Sequence, residues 1–251
     1  NNSGMYTNWF LGYKNSHILY ILPWLILLIL DSLNKNKRIP IYLYLILLFS
    51  LAMMIRLEAS TSIIALFSLI VCLFFRNKLE KFKLVTGKNL LVISFVLFLL
   101  IVIFRVQDIF SFIFVDVLDK TLTFTGRTYI WDNALEKISQ SFLFGYGDNS
   151  FFYNKYILST HNQFLGIVYE TGIIGLFIYL IIYKCIVKEI DSCKDDHVLF
   201  FSKYFIFIYL LMMLMEDYNM RYYMYIFVII YNLCIMSASK HKERIEVQGE
   251  S

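Results

Sequence analysis

The sequence predicts an all-α membrane protein, a polytopic bundle of about seven transmembrane helices with one long extracytoplasmic loop. Three observations lead there. The chain of 251 residues is 59% hydrophobic and only 17% charged, which is more apolar surface than a soluble domain of this size can bury. The apolar residues fall in runs of about 20, the length a bilayer demands of a spanning helix. The basic residues gather in alternate connections, the asymmetry that orients membrane helices.

The spans are expected at 12–30, 39–55, 60–75, 89–105, 164–187, 198–215 and 221–237. The first, interrupted by Pro23, closes on Lys35, Lys37 and Arg38. The second follows Pro40 and ends at Arg56, where the tight turn Arg56–Thr61 leads straight into the third. A basic connection with Arg76, Lys78, Lys81, Lys83 and Lys88 precedes the fourth. The fifth and sixth flank the loop after Val187. The turn Glu216–Arg221 opens the last, which is rich in Tyr, Ile and Met and runs into a tail with Lys240, Lys242 and Arg244. Placing the basic connections and the C-terminus in the cytoplasm leaves residues 106–163 and the Arg56 and Glu216 turns outside. Cys72, Cys185, Cys193 and Cys234 then fall on the cytoplasmic side and show no metal-ligand spacing, so they are expected to be reduced. The net charge of +4 sorts by membrane side rather than into one stripe, and nucleic acid is not an expected partner. The opening NNSGMYTNW has no initiator methionine and no signal-peptide pattern, and the chain is expected to be the C-terminal part of a longer protein.

The long loop has content of its own. In "GRTYIWDNALEKI", Ile130, Trp131, Ala134, Leu135 and Ile138 recur at helical spacing, which predicts an amphipathic helix lying at the interface with its apolar side among headgroups. "FLFGYGDNSFFY", rich in glycine and aromatics, reads as a loop returning to the membrane surface.

The stretch "STHNQFLGIVYETGIIGLF" is where polar residues enter an apolar run, and polar groups in lipid persist when they are paired or used. Thr160 and Gln163 have the form of a capping box, so a helix is expected to start at His161. His161, Leu165, Val168, Gly172 and Gly175 then share one face, and the glycines would admit another helix. The positive end of the helix dipole would keep the His161 imidazole neutral, as a general base requires. A hydrogen-bonded interfacial histidine is the plainer alternative. Glu170, about two turns into the span, is expected to be buried and either paired or protonated.

Arginines on the outer side run against the charge bias, so each calls for a reason. Arg56, Arg127 and Arg221 could together hold a lipid diphosphate through their planar donor forks. Singly, Arg56 could pair with Glu58, Arg221 with Asp217, and Arg127 could snorkel to headgroups. Asp116, Asp119 and the cluster "KDDH" read as solvated loop, and no metal or other cofactor is expected. Phosphate-loop, dinucleotide and serine-hydrolase motifs are absent.

"GRTYIW", "FLFGYGDNSF" and "HNQFLGIVYETGIIG", in that order, resemble the C-terminal region of the O-antigen ligase and polymerase family. His161, Asn162, Gly172 and Gly175 match its histidine motif. "RLEASTSIIAL" is similar to the family's arginine-and-serine turn, and "FLGYKN" to a segment opening an earlier span in capsule polymerases. The resemblance implies an inverting, metal-independent glycosyltransferase of the bacterial plasma membrane. Its donor would be an undecaprenyl-diphosphate-linked glycan and its acceptor a second glycan, with a chain-length regulator and a flippase as companions. His161 would be the catalytic base, Arg56, Arg127 and Arg221 the diphosphate ligands, and Asn162, Glu170, Gly172 and Gly175 supporting residues. Leu176 follows the glycine pair where ligases commonly carry threonine, which turns the expectation towards a polymerase. A ligase is the close alternative. A lipid-oligosaccharide transporter is a third reading, against which the one-sided clustering of polar residues speaks, and a structural membrane subunit is a fourth.

Overall fold

A computed structural model describes residues 8–9, 12–36, 38–79, 86–106, 127–148, 151, 159–191 and 196–218. Its helices are α1 (Ile18–Asn36), α2 (Ile41–Arg56), α3 (Ser60–Leu79), α4 (Gly87–Phe98), α5 (Arg127–Gln140), α6 (Gln163–Asp191) and α7 (Asp196–Met213). Six of them lie where the first six spans are expected, and α5 lies where the loop helix is expected. The seventh span, Asp116 and Asp119 fall outside the described residues. Among the described residues two segments, Lys14–Leu33 and Gln163–Lys188, are long and apolar enough to cross a membrane, while Ile41–Arg56, Ser60–Arg76, Gly87–Ile103 and Leu199–Met213 are shorter apolar helices.

The chain divides into two compact units. One holds the described residues of 1–87 and 187–212. It opens not with helix but with a two-residue hairpin, β1 (Asn8–Trp9) against β2 (Gly12–Tyr13), followed by a 3-10 turn at Lys14–Ser16. The helix therefore begins six residues later than expected from hydropathy, which does not distinguish an apolar hairpin from an apolar helix end. In α1, Ile18, Leu22, Leu25, Ile26, Ile29 and Leu33 form a buried stripe at helical spacing, and the opposite side exposes Tyr20 and Trp24. A helix apolar all round is the mark of a membrane or a deep core. The α2–α3 connection is a Schellman-type close. Ala59 N donates to Met54 O at 3.1 Å and Glu58 N to Ile55 O at 3.0 Å, with Glu58 in the left-handed region at φ 54°. Asp191 accepts from Gly87 N at 3.0 Å and pairs with Lys203 at 3.0 Å, capping α4.

The other unit holds the described residues of 88–186 and 213–220. Here α4 continues into one π-type turn, Leu99–Ile103, closed by Phe104 N donating to Leu99 O at 2.9 Å. The Arg105 guanidinium then bonds Thr128 O at 3.3 Å and the Asp132 carboxylate, tying the end of α4 to the first turns of α5. Ile130, Trp131, Ala134 and Ile138 of α5 are buried in protein. The apolar side expected among headgroups is used for internal packing instead, because Trp131, 0% exposed, has a partner for its indole N–H in Thr160 O at 3.1 Å.

Helix α6 is broken at Gly172 (φ 69°, ψ −174°). The loop after α5 fills the break. Tyr146 N donates to Tyr169 O at 2.9 Å, Gly147 N to Glu170 O at 2.8 Å, and Ile173 N to Phe142 O at 2.9 Å. Carbonyls that would otherwise lose their helical donors are thereby satisfied.

Candidate active site

Three segments of the second unit meet here: the start of α5, the residues before α6, and the turn after α7. Arg127 is the first residue of α5. A guanidinium is unfavourable at the positive end of a helix dipole, and Glu216 compensates. Its Oε1 accepts from Arg127 Nη2 at 2.7 Å, with the two side chains 15% and 8% exposed. The other carboxylate oxygen, Oε2, lies 3.5 Å from Nδ1 of His161, whose side chain is 32% exposed. One carboxylate thus stands between a guanidinium and an imidazole. Nε2 of His161 makes no hydrogen bond to a described residue.

His161 is not in the helix. It sits two residues ahead of α6 with φ 51°, a left-handed conformation that histidine tolerates better than most side chains. Its backbone N–H donates to Ser159 Oγ at 3.1 Å. The capping residue is Asn162 rather than Thr160. Asn162 Oδ1 accepts from Leu165 N at 2.9 Å, and its Nδ2 donates to Leu214 O at 2.9 Å, so one buried amide both caps α6 and bonds the turn that carries Glu216. The Glu216 carboxylate, not the dipole of a helix containing the histidine, is the group facing the imidazole.

Thr160 has another use. Its hydroxyl lies 3.0 Å from Asp217 Oδ2 and 2.8 Å from Asn162 O, and Ser159 Oγ lies 3.4 Å from the same Asp217 oxygen. Asp217 lies against the first turn of α6, where a Cβ on Gly166 would come within 2.7 Å of its Oδ2. Burial pushes the Asp217 carboxyl above its ordinary range, against the lowering effect of the Thr160 and Ser159 hydrogen bonds and of His161. Adjacent acids therefore have different surroundings: Glu216 faces an arginine and a histidine, Asp217 faces hydroxyls.

The remaining expected residues fall as follows. Glu170 is partly exposed rather than buried, beside the helix break, and its carbonyl receives Gly147 N. Gly172 supplies the positive φ of the break, so it meets the backbone of Leu143 and Phe144 rather than another helix. Gly175 leaves room for the side chain of Thr171, whose hydroxyl donates to Ile167 O at 2.7 Å. Arg56 is exposed in the last turn of α2, a favourable end for a cation, and makes no ion pair with a described residue, Glu58 included. Arg221 lies outside the described residues. The sequence reading missed Glu216 as the link between Arg127 and His161, and missed Arg105. The signal for the first was an acidic pair in a short turn on the same predicted side as both bases.

A family model described as O-Antigen ligase matches residues 43–180. The chain belongs to the O-antigen ligase family. The match takes in Arg56, Arg127, His161 and the Gly172–Gly175 pair, and stops short of Glu216 and Asp217. No curated protein and no solved structure matches the chain. As a member of the O-antigen ligase family it is a membrane protein of glycan assembly, with glycosyltransferase-type activity on lipid-linked glycans.

Proposed function

We propose that the protein is an inverting, metal-independent glycosyltransferase at the extracytoplasmic face of the bacterial plasma membrane. It joins undecaprenyl-diphosphate-linked oligosaccharide repeats into a capsular or O-antigen-type polysaccharide. The observation that carries this reading is the row Arg127–Glu216–His161, a base with one ring nitrogen 3.5 Å from a carboxylate and the other without a hydrogen bond to a described residue.

In the proposed step, His161 Nε2 takes the proton of the acceptor hydroxyl. The acceptor oxygen bonds to the anomeric carbon on the side opposite the diphosphate. The carbon–oxygen bond to the diphosphate breaks, its electron pair leaves with the phosphate, and the configuration inverts. Glu216 holds Nδ1 and stabilises the imidazolium, as a carboxylate does for histidine bases generally. The N–H groups of Arg127 not used by Glu216 would meet the charge growing on the diphosphate, where a fixed guanidinium out of bulk water counts for far more than in it. Arg56 and Arg221 are candidates for the same role on their charge and the resemblance alone. Asn162, Glu170, Gly172 and Gly175 would support the base through the segment that carries it.

A second reading, transfer of the finished glycan to a lipid A core or another acceptor, is favoured by the description of the matching family. The test is glycan analysis in a deletion host expressing the full-length protein as wild type, His161→Ala, Arg127→Ala or Lys35→Ala at matched membrane levels. Single lipid-linked repeats from the first two variants, with a normal ladder from wild type and Lys35→Ala, bear out the polymerase. Long chains still on the lipid diphosphate bear out the ligase. Normal ladders from every variant overturn both.

A further inference from the structure

The segment 141–147, which follows α5, carries its hydrogen bonds on one side. Its backbone is bonded inwards: Tyr146 N and Gly147 N to α6 carbonyls, Phe142 O to Ile173 N, Gly145 N to Ser141 O at 2.9 Å, and Ser141 Oγ to Gly145 O at 2.7 Å. Phe142, Leu143 and Phe144 are exposed, Phe144 by 75%, while the Tyr146 ring stacks on Tyr169 and its hydroxyl donates to Lys137 O at 2.8 Å. Ile174, Phe177, Ile178 and Ile181 are exposed on α6 just beyond the break. Since Phe142 O is bonded to Ile173 N, the two apolar surfaces adjoin.

The depth of this patch follows from helix rise. Residues 171–183 carry no charge, and Lys184 is the first one after Glu170. At about 1.5 Å per residue, Gly172 lies roughly 18 Å from the level of Lys184 and roughly 14 Å from that of Gln163. A hydrocarbon core is about 30 Å thick, so a span that places both ends at its boundaries has the break well inside it. Non-helical backbone survives at that depth where protein satisfies its polar groups, as it does here for Phe142 O, Gly145 N and O, Tyr146 N and Gly147 N.

We propose that residues 142–146 form a re-entrant element whose Phe142, Leu143 and Phe144 side chains contact the acyl chains of the bilayer, rather than a loop lying in water or on the headgroups. The occupant is bulk lipid, because the patch is continuous with the lipid-facing surface of a span. The inference rests on the membrane location of the family and not on which glycan transfer the protein performs.

The test uses nitroxide labels on full-length protein in phosphatidylcholine–phosphatidylglycerol vesicles. With Cys72, Cys185, Cys193 and Cys234 replaced by serine, single cysteines are placed by Phe144→Cys, Leu143→Cys, Phe177→Cys as the reference inside the span, and Lys35→Cys as the aqueous reference. Collision rates with oxygen, which concentrates in hydrocarbon, and with a neutral water-soluble nickel chelate give the depth. The Phe144 and Leu143 labels are expected to match Phe177, with an oxygen-to-nickel ratio several-fold above that of Lys35. A ratio like that of Lys35 puts the loop in water and overturns the proposal. Low collision with both reagents means that protein, such as a second copy, covers the patch, and that overturns it too.

Discussion

The carbonyl oxygen of Leu143 lies where a side chain on Gly172 would have to begin. The α5–α6 loop and the break in α6 are therefore one feature, closed only because residue 172 has no Cβ and adopts φ 69°.

Gly172→Ala adds a Cβ against backbone that cannot rotate away and forces alanine into a left-handed conformation that costs about 1–2 kcal/mol by itself. A loss of roughly 3 kcal/mol or more in total is expected once overpacking is included, read as a clear fall in the thermal midpoint of the purified protein. Gly175→Ala meets only the side chain of Thr171. Its loss is expected to be recovered in part in the double variant Thr171→Ala/Gly175→Ala, which removes Oγ1 and Cγ2 of residue 171 but keeps the Cβ that the new methyl also meets. Strict additivity of the two single changes would contradict the packing described.

Glu216→Ala leaves Arg127 nearly buried without its carboxylate. Breaking one side of a buried pair costs about 3–5 kcal/mol, so this variant is expected to lose stability as well as activity. Glu216→Gln keeps an acceptor for Arg127 and is expected to fold better, with turnover down by the roughly 10²–10⁴ that an ill-set general base costs. Thermal melts and turnover on the same preparations separate the two effects.

Asn162→Ala removes the cap of α6 and leaves Leu214 O without its amide donor. The expected cost is about 2–4 kcal/mol, a cap plus an unsatisfied buried carbonyl. Asn162→Asp retains the cap but turns a donor into a second oxygen facing Leu214 O. It should fall between wild type and alanine in unfolding by heat or denaturant.

Asp217 carries a pH signature. Its folded carboxyl is raised above the ordinary value by burial, so between the two values the folded state holds a proton that the unfolded state has released. Stability then falls as pH rises from the ordinary carboxylate range, near 3.8, up to the raised value, and is level in this respect on either side. Asp217→Asn is expected to flatten that segment of the stability–pH curve. An unchanged curve would mean that folding leaves the Asp217 carboxyl at its ordinary value.

The positions of α1–α4, α6 and α7 were legible because apolar runs and basic connections report directly on what a bilayer accepts. The helix at Arg127–Gln140 was legible too, from the spacing of Ile130, Trp131, Ala134 and Ile138, though not the surface it packs on, since periodicity gives a face and not its neighbour. At His161 the local code was ambiguous: Thr160, Asn162 and Gln163 all suit a helix start, and the choice fell to Asn162 because Leu214 and Asp217 supply partners some fifty residues away. Glu216 escaped notice for the same reason. A short acidic turn looks ordinary until the chain brings Arg127 and His161 to its two oxygens.

With the imidazole neutral, the row Arg127–Glu216–His161 sums to no charge: one cation, one anion and one uncharged ring. A single captured proton makes the whole row positive. A substrate whose departing group gains negative charge as its acceptor sheds a proton would meet a surface that turns from neutral to positive in step with it, and neither change would require the carboxylate to move.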